Sequence, residues 1–165
     1  MSEVLLVTGG SRGIGAATAI CAAKKGWDIA INYVRDANAA NKVAAEVRAL
    51  GRRSMEIKGD MTSEDDILNM FEQVEKDLGQ ITGLVNSAGT TGKTARVQDM
   101  TASAIREIME LNVVGLMLCC REAVKRMSIK NGGRGGYIVN VASAASRLGG
   151  PNEFVHYAAS KGAVD

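Results

Sequence analysis

The sequence predicts an α/β fold with a doubly wound parallel sheet and helices on both of its faces. Two observations lead to this prediction. Five short apolar runs have the length of strands that are buried on both faces. The segments between them have helical periodicity, and a repeated alternation of strand and helix is typical of parallel sheets. Because 165 residues fit one domain, we expect residues 1–165 to form a single domain.

The predicted strands follow the five apolar runs in chain order. They are expected at Val4–Val7, Ile29–Ile31, Met55–Ile57, Leu84–Val85 and Tyr137–Val141. Helices are predicted at 16–25, 40–50, 67–78 and from 105 to near 131, the last three from apolar residues at helical spacing. Gly51 is typical of a helix stop, and Ser63–Asp66 is typical of a capping box.

Composition excludes several classes of protein. With 46% hydrophobic and 23% charged residues, the chain is not of the disordered type. No apolar run approaches the ~20 residues of a transmembrane helix, and no signal peptide is visible at the N-terminus, so we expect no membrane partner. A net charge of +2 is too small for nucleic-acid binding by electrostatics alone. The basic pair Arg52-Arg53 is interpreted as a solvated loop.

The three cysteines indicate a reducing compartment. Cys21, Cys119 and Cys120 have neither metal-ligand nor redox-motif spacing. Adjacent cysteines rarely form a disulfide with each other, because the geometry is strained. We interpret all three as buried thiols, which predicts a cytoplasmic protein without a metal site.

A glycine-rich turn between the first strand and the first helix predicts a phosphate-binding loop. It runs Thr8-Gly9-Gly10-Ser11-Arg12-Gly13-Ile14-Gly15. Exposed N–H groups and the positive end of a helix dipole attract a pyrophosphate. Gly9 permits the tight turn, Gly13 lets the backbone approach the phosphates, and Gly15 lets the helix pack closely. Ser11, Arg12 and Ile14 are expected to contact the cofactor with these glycines.

The end of the second strand indicates which nicotinamide cofactor this loop binds. An NAD site places Asp or Glu about twenty residues past the glycines, where it binds the ribose 2′-OH. Tyr33 stands there instead, and Arg35 and Arg12 can pair with a 2′-phosphate. Asp36 follows shortly after and weakens this pattern. We expect NADP rather than NAD; the alternative is that both arginines are ordinary surface charges.

Residues after the third and fourth strands complete the predicted cofactor site. The Asp60 carboxylate can accept a hydrogen bond from the adenine amino group, with Met61 beside it; the alternative is that Asp60 caps the next helix. Asn86, Ala88 and Gly89 follow the fourth strand, where small residues let the backbone approach the cofactor ribose. Asn86 has the alternative of tying neighbouring strands together.

A catalytic cluster is predicted near the end of the chain. Ser143 follows the fifth strand, and Tyr157 and Lys161 are four residues apart, so on a helix they share a face. A nearby ammonium favours the phenolate form of a tyrosine, which can then exchange a proton near neutral pH. The Ser143 hydroxyl can hold the substrate oxygen. The alternative for Tyr-x-x-x-Lys alone is a chance pattern of a structural helix.

In this order, the motifs resemble those of the short-chain dehydrogenase/reductase family, which has a Rossmann fold. The resemblance implies hydride transfer between NADP(H) and a small-molecule carbonyl or alcohol, such as a 3-oxoacyl thioester or a sugar-type carbonyl. It also implies that Tyr157 is the general acid/base, that Ser143 orients the substrate, and that Lys161 binds the nicotinamide ribose. Asn112 matches the family's helical asparagine, which links the lysine to solvent through water. Family members are often homotetramers joined by the helix that carries this asparagine.

The chain departs from the family pattern in several places. Residue 87 is Ser where the family usually has Asn, and the serine–tyrosine interval is one residue longer, so loop 144–156 is expected to bulge. His156 is interpreted as an incidental loop residue. Family members continue through two further strands and a substrate-binding loop, so we expect a truncated product or a partial sequence that is aggregation-prone or inactive at this length.

Two other functions remain open from the sequence. One is a non-catalytic or truncated dinucleotide-binding domain, which keeps the Gly9–Gly15 loop without a closed substrate pocket. The other is a nucleotide-sugar epimerase, a related class that also uses Tyr-x-x-x-Lys. Its glycines are usually spaced G-x-x-G-x-x-G, unlike the spacing of Gly9, Gly13 and Gly15.

Overall fold

A computed structural model describes residues 3–165 and contains a five-stranded parallel sheet. The strands are β1 (Val4–Thr8), β2 (Asp28–Tyr33), β3 (Ser54–Lys58), β4 (Ile81–Asn86) and β5 (Tyr137–Asn140). Their order across the sheet is β3-β2-β1-β4-β5, and every neighbouring pair is parallel. In the register of the central strands, Leu6 of β1 lies opposite Ala30 of β2 and Leu84 of β4.

Helices connect the strands. They are α1 (Gly13–Lys24), α2 (Ala37–Ala49), α3 (Glu64–Asp77), α4 (Ala102–Met109), α5 (Leu116–Met127), α6 (Ala145–Leu148) and α7 (Val155–Val164). A π-helical turn, Glu110–Gly115, joins α4 directly to α5. No helix in the described part of the chain is both long and apolar enough to cross a membrane.

Two hydrophobic layers cover the faces of the sheet, and they confirm the predicted doubly wound fold. Alternate residues of a strand point to opposite faces, and in β1 Leu6 joins one layer while Leu5 and Val7 join the other. Helices α3 and α5 pack on the Leu6 face, and α1 and α2 pack on the opposite face. The large side chain of Phe71 on α3 is fully buried in the first layer.

The fifth strand is more exposed than predicted. Tyr137 retains 74% and Val139 53% of their exposed surface, so the prediction of a strand buried on both faces is wrong for β5. The physical reason is its position at the edge of the sheet, where it pairs only with β4. Ile138 packs against the first hydrophobic layer, and Val141, just after the strand, packs against the second.

The long predicted helix is interrupted and ends early. The π-helical turn breaks it at Glu110–Gly115, and α5 stops at Met127, where Ser128 adopts an extended backbone. At Gly115 the helix packs so closely on the loop before α3 that a Cβ would collide with the carbonyl oxygen of Met61. The sequence predicts one continuous helix here, because π-turns are rare and occur mostly as single turns within α-helices.

The predicted capping box at α3 forms only in part. The Ser63 hydroxyl accepts a hydrogen bond from the Asp66 N–H at 3.2 Å, as an N-cap does. The Asp66 carboxylate instead accepts the N–H of Asp60 at 2.8 Å. The N–H of Ser63 donates to the Asp60 carbonyl at 3.0 Å. The start of α3 therefore holds the loop that follows β3.

The basic pair before β3 lies in a loop, as predicted, with Arg53 exposed and Arg52 half-buried, but both side chains are also engaged in ion pairs. Asp28, at the start of β2, is almost fully buried. Its carboxylate lies 2.6 Å from Arg52 Nη2 and accepts a hydrogen bond from Arg53 Nε at 2.8 Å. Arg53 also donates to the carbonyl of Leu78, after α3, at 2.6 Å. Both arginines pair with Asp28 because a buried carboxylate without a charged partner is strongly destabilising.

The cysteines differ from one another in burial. Cys119 is buried, as predicted, and burial together with the neighbouring Cys120 and Glu122 raises the pKa of its thiol to about 12. Cys120 is half-buried, and burial raises its pKa as well. Cys21 is exposed on α1, so the prediction of three buried thiols is wrong for that residue.

A buried carboxylate on α5 is held by three basic side chains. Glu122 is 2% exposed and accepts hydrogen bonds from Arg126 at 2.6 Å, Lys125 at 2.8 Å and Arg121 at 3.0 Å. Burial raises the pKa of Glu122, but the three hydrogen bonds outweigh it and lower the pKa to about 2, from an ordinary value of 4.5. Arg126 also bonds Glu75 of α3 at 3.1 Å, so the cluster joins two helices.

The lowered pKa makes the contribution of Glu122 to stability depend on pH. A carboxylate with a depressed folded-state pKa stabilises the fold above its unfolded pKa, and this stabilisation disappears as pH falls from about 4.5 to about 2. At pH 7, we expect Glu122→Gln to lower the unfolding free energy by about 1.5 kcal/mol, the low end for charged hydrogen bonds because two partners are exposed. Urea unfolding from pH 7 to 3 measures this difference, which should shrink with acid. An exposed control, Glu72→Gln, should show no such trend; a difference independent of pH would contradict the assignment.

Candidate active site

The predicted site residues lie in loops at the carboxyl ends of the strands. Strand order reverses between β1 and β4, since the chain passes from β1 outward to β3 and returns to β4 on the other side. Ligands of open α/β sheets bind at such a switch point. The glycine loop follows β1, and the loop that begins with Ser87 follows β4, so the two predicted motifs meet there.

The glycine loop is shaped by two close approaches. Gly9 has a φ of +62°, and a Cβ there would lie 2.9 Å from the Cα of Ala88. A Cβ on Gly15 would lie 2.5 Å from the carbonyl oxygen of Gly9. The lack of a side chain at Gly15 therefore lets α1 approach the glycine loop. The sequence predicted a close approach of α1 at Gly15, and the structure shows that the loop is what it approaches.

The other loop residues are largely open to solvent. Arg12 occupies the N-cap position of α1 with extended backbone and makes no side-chain capping bond. Arg12, Gly13 and Ile14 are exposed, and Ser11 is half-buried. The guanidinium and the N–H groups at the start of α1 are therefore accessible to an anionic ligand.

Thr8, at the end of β1, fastens the glycine loop to the loop after β4. Its buried hydroxyl accepts hydrogen bonds from the N–H groups of Ser87 and Ala88, both at 3.1 Å. Sequence reasoning placed Thr8 in the loop but gave it no role. The available signal was a hydroxyl residue at the end of a fully apolar strand.

Asn32 is a second residue whose role sequence reasoning missed. It is completely buried in β2, and its Oδ1 accepts the N–H of Gly9 at 3.1 Å. Its Nδ2 donates to the carbonyl of Gly59, beyond β3, at 2.9 Å. One amide therefore joins the glycine loop to the loop that carries Asp60. An asparagine within an apolar strand run was the signal.

The residues predicted to select the cofactor lie at the end of β2. Tyr33 is half-buried and packs against the second hydrophobic layer, and Arg35 is exposed. The Asp36 carboxylate accepts the N–H of Ala39 at 2.9 Å and is the N-cap of α2. Asp36, which weakens the prediction of NADP binding, is therefore engaged as the N-cap of α2.

Asp60 and Met61 occupy the loop after β3. The Asp60 Oδ1 accepts the backbone N–H of Thr62 at 2.9 Å and its hydroxyl at 2.8 Å, so the carboxylate stabilises its own turn while Ser63 caps the helix. The Met61 side chain is buried, with its sulfur 3.5 Å from Cys119. The Met61 side chain therefore lies in the hydrophobic core and not at the loop surface.

Asn86 ties β4 to β5. It is buried, and its Nδ2 donates to Asn140 Oδ1 at 2.9 Å and to the Cys120 sulfur at 3.3 Å. Within residues 3–165, its Oδ1 has no hydrogen-bond partner. The strand-tying alternative is therefore what the contacts support. Ala88 is half-buried and Gly89 is exposed at the loop surface.

Asn112 is buried in the π-helical turn and binds the loop after β4. Its Oδ1 accepts the N–H of Thr90 at 3.0 Å, and its Nδ2 donates to the Thr90 carbonyl at 2.9 Å and to the Ser160 hydroxyl at 3.0 Å. Both N–H groups of the amide are thus taken by protein partners. Gly89 packs against it, since a Cβ there would lie 3.1 Å from Asn112 Oδ1 and 4.0 Å from Lys161 Nζ.

Tyr157 and Lys161 share one face of α7, as the spacing predicted. The Lys161 ammonium lies 5.9 Å from the centre of the tyrosine ring and donates to the Val141 carbonyl at 2.6 Å. Burial lowers the pKa of Lys161, and the nearby Asp165 partly offsets this effect. Ser143 lies two residues beyond Val141, where its hydroxyl oxygen accepts the N–H of Ala145 at 3.2 Å.

The segment between Ser143 and Tyr157 contains helix α6 followed by a turn. His156 is not a loop residue, so that prediction is wrong. It lies in the first turn of α7 and is 5% exposed. Its ring packs near Gly92, where a Cβ would lie 2.9 Å from His156 Nε2.

The chain is similar in sequence and in fold to known proteins. A family model described as short chain dehydrogenase matches residues 3–165. The chain is 46% identical over 162 residues to the uncharacterized oxidoreductase YgfF of Escherichia coli (strain K12), covering 98% of this chain and 66% of that protein. It is 32% identical over 163 residues to a 3-oxoacyl-[acyl-carrier-protein] reductase of Synechocystis sp., covering 99% of this chain and 64% of that protein. A crystal structure of NAD+-bound xylitol dehydrogenase superposes with a TM-score of 0.90 at 35% identity, covering 98% of this chain and 60% of that one. The chain therefore spans about two thirds or less of the length of these proteins.

The Thr8 hydroxyl should contribute more to the free energy of unfolding than a buried threonine hydroxyl that accepts a single N–H. Thr8→Val keeps the shape but leaves the N–H groups of Ser87 and Ala88 without a partner, which should lower the unfolding free energy by about 2–4 kcal/mol. Thr82→Val is the matched control, since the Thr82 hydroxyl accepts one N–H, that of Val4, at 3.2 Å at the other end of the sheet. Urea unfolding should show about half the loss in the control. Equal losses would contradict the fastening role.

Proposed function

The chain belongs to the short-chain dehydrogenase family, and from this membership we propose that the protein transfers a hydride between NADP(H) and a carbonyl or alcohol substrate. The observation that carries the proposal is the placement of Lys161 Nζ 5.9 Å from the Tyr157 ring centre, beside Asn112 and Gly89 at the switch point of the sheet. This arrangement supports Tyr157 as the general acid/base.

The residues present fit a dinucleotide. The start of α1 offers accessible N–H groups for a pyrophosphate, and Gly9 and Gly15 keep side chains out of the loop. Asp60 would bind the adenine end, and the small residues Ala88 and Gly89 would face the ribose. A bound nicotinamide supplies or accepts the hydride; the remaining chemistry is that of this chain's own side chains.

In the reducing direction, the proton comes from the Tyr157 hydroxyl. The Ser143 hydroxyl oxygen already accepts an N–H, so its own proton is free to bind the substrate carbonyl oxygen and orient it. Tyr157 donates its proton to that oxygen as negative charge develops there. The Lys161 ammonium then stabilises the resulting phenolate. In the oxidising direction, the same groups act in reverse.

Charge at the end of β2 supports NADP. Arg12 and Arg35 are exposed, Tyr33 stands where an NAD site has a carboxylate, and Asp36 is engaged as a helix cap. These features support the proposal of NADP, whereas the similar xylitol dehydrogenase was crystallised with NAD+.

We extend the proposal to substrate, assembly and compartment. The names of the similar proteins indicate a 3-oxoacyl thioester or a polyol-type substrate. An exposed apolar row along α4–α5, formed by Ile105, Val114, Met117 and Val124, supports a homo-oligomer, which we propose to be a tetramer. Three free thiols fit the reducing cytoplasm.

Cofactor preference can be measured directly. We expect NADPH to bind more tightly than NADH by ~1.5–3 kcal/mol, the range for hydrogen bonds to a charged group. Arg35→Ala should remove part of this difference by weakening NADPH alone, and Lys42→Ala on the outer part of α2 serves as a surface-charge control. Titration calorimetry with both cofactors measures the effect. Equal affinities in the unmodified protein would exclude NADP selection.

The role of Tyr157 is tested by removing its hydroxyl. In the natural protein that carries this chain, Tyr157→Phe should lower turnover by about 10²–10⁴-fold, the usual contribution of general acid/base catalysis. Because packing is retained, the melting temperature and NADPH affinity should change little, and Tyr137→Phe should leave all three unchanged. Near-normal turnover in Tyr157→Phe would exclude Tyr157 as the general acid/base. NADPH binding without turnover of any carbonyl in the unmodified protein would replace the proposed mechanism with a non-catalytic dinucleotide-binding role.

A further inference from the structure

Ser160 lies between the two proposed catalytic residues of α7 and has no part in the mechanism above. It is completely buried. Its hydroxyl donates to the carbonyl of Tyr157, one turn earlier, at 2.7 Å. The same oxygen accepts the Nδ2 proton of Asn112 at 3.0 Å, across 48 residues of sequence. The hydroxyl therefore both donates and accepts a hydrogen bond within the candidate site.

The bond to Asn112 is the point at which α7 is fixed to the π-helical turn. Within residues 3–165, it is the one side-chain hydrogen bond between these two elements. Asn112 is itself fixed, because its Oδ1 and its other N–H bind the backbone of Thr90. Ser160 is therefore attached to a side chain that cannot rotate without breaking two further hydrogen bonds.

Because of helix geometry, the hydrogen bond of Ser160 also fixes the directions in which the Tyr157 and Lys161 side chains point. Each residue of an α-helix advances by about 100°, so Lys161 points about 100° from Ser160, and Tyr157, three residues back, about 60° in the same sense. Fixing Ser160 toward Asn112 therefore fixes the direction of both. A rotation of α7 would move the Tyr157 hydroxyl and the Lys161 ammonium together away from the switch point.

We propose that Ser160 is a positioning residue, whose hydroxyl sets the rotation of α7 against Asn112 and so directs Tyr157 and Lys161 at the reacting atoms. This inference rests on the proposed function. Without the hydroxyl, one N–H of Asn112 loses its buried partner. Among the described residues, the bond from Lys161 to Val141 would then be the one side-chain hydrogen bond from α7 to another element. Lys161 would then have to serve as both anchor and catalytic group.

The test compares Ser160→Ala with Ser54→Ala in the natural protein. Ser54 is the matched control because its hydroxyl donates to the Ala44 carbonyl at 3.0 Å on β3, away from the site. A small misplacement of reacting groups can cost about 10²-fold in rate, so we expect Ser160→Ala to lower kcat by about 10–100-fold with KM for the carbonyl changed less than threefold. Its pH–rate profile should also shift, because Lys161 no longer holds its place beside the phenol. Ser54→Ala should change neither kcat nor the pH profile.

A double-mutant cycle separates positioning from general stability. If Ser160 acts through Asn112, the Ser160→Ala/Asn112→Ala variant should lose no more kcat than Asn112→Ala alone. Ser160→Cys fills the same space with a weaker hydrogen-bonding group and should give an intermediate kcat, which keeps the test decisive if the alanine variant does not fold. A Ser160→Ala or Ser160→Cys enzyme with the kcat of Ser54→Ala would overturn this inference and leave the proposed function intact. Fully additive losses of kcat in the double-mutant cycle would do the same. An unmodified protein without turnover would overturn the proposed function and this inference with it.

Discussion

Backbone groups that leave the sheet at the carboxyl ends of the strands must find hydrogen-bond partners inside the protein, and the candidate site depends on how they do so. A buried donor or acceptor without a partner costs about 1–3 kcal/mol. Thr8, Asn32 and Asn112 meet this requirement, each with a buried side chain that binds backbone groups of another segment. The loops after β1, β3 and β4 are therefore held to one another as well as to the sheet.

These hydrogen bonds between loops explain why glycines and buried polar residues occur next to each other in the candidate site. Gly9, Gly15 and Gly89 bring backbone segments close together and keep side chains away from the ligand face. A glycine has no side chain with which to hold itself in place. The neighbouring amides and hydroxyls supply the hydrogen bonds that the glycines cannot, from the protein side of the loop. The opposite end of the sheet is held differently, by charges around the buried carboxylate of Asp28.

The sequence was sufficient to predict features that depend on local pattern. The alternation of strands and helices and the shared helix face of Tyr157 and Lys161 are set within a few residues, and the structure confirms them. The bounds are less well predicted: β4 extends over Ile81–Asn86, and the long helix is broken at Glu110–Gly115. A polar residue at a strand position was visible in each case, but the partners of Thr8 and Asn32 were not predictable, because they lie 79 and 23 residues away in the chain. The exposure of β5 and the pairing of Arg52 with Asp28 likewise depend on which segments become neighbours, which periodicity does not encode.

The hydrogen-bond partners of Asn112 lie on both sides of it in the chain, so they emerge from the ribosome at different times. Thr90 lies 22 residues before Asn112, and Ser160 lies 48 residues after it. A nascent chain can therefore join Asn112 to Thr90 while the second N–H of the amide is still hydrated. Loop closure over the longer separation comes later, once β5 and α7 have been translated. We expect water to bind the second N–H of Asn112 until α7 packs and the Ser160 hydroxyl takes its place.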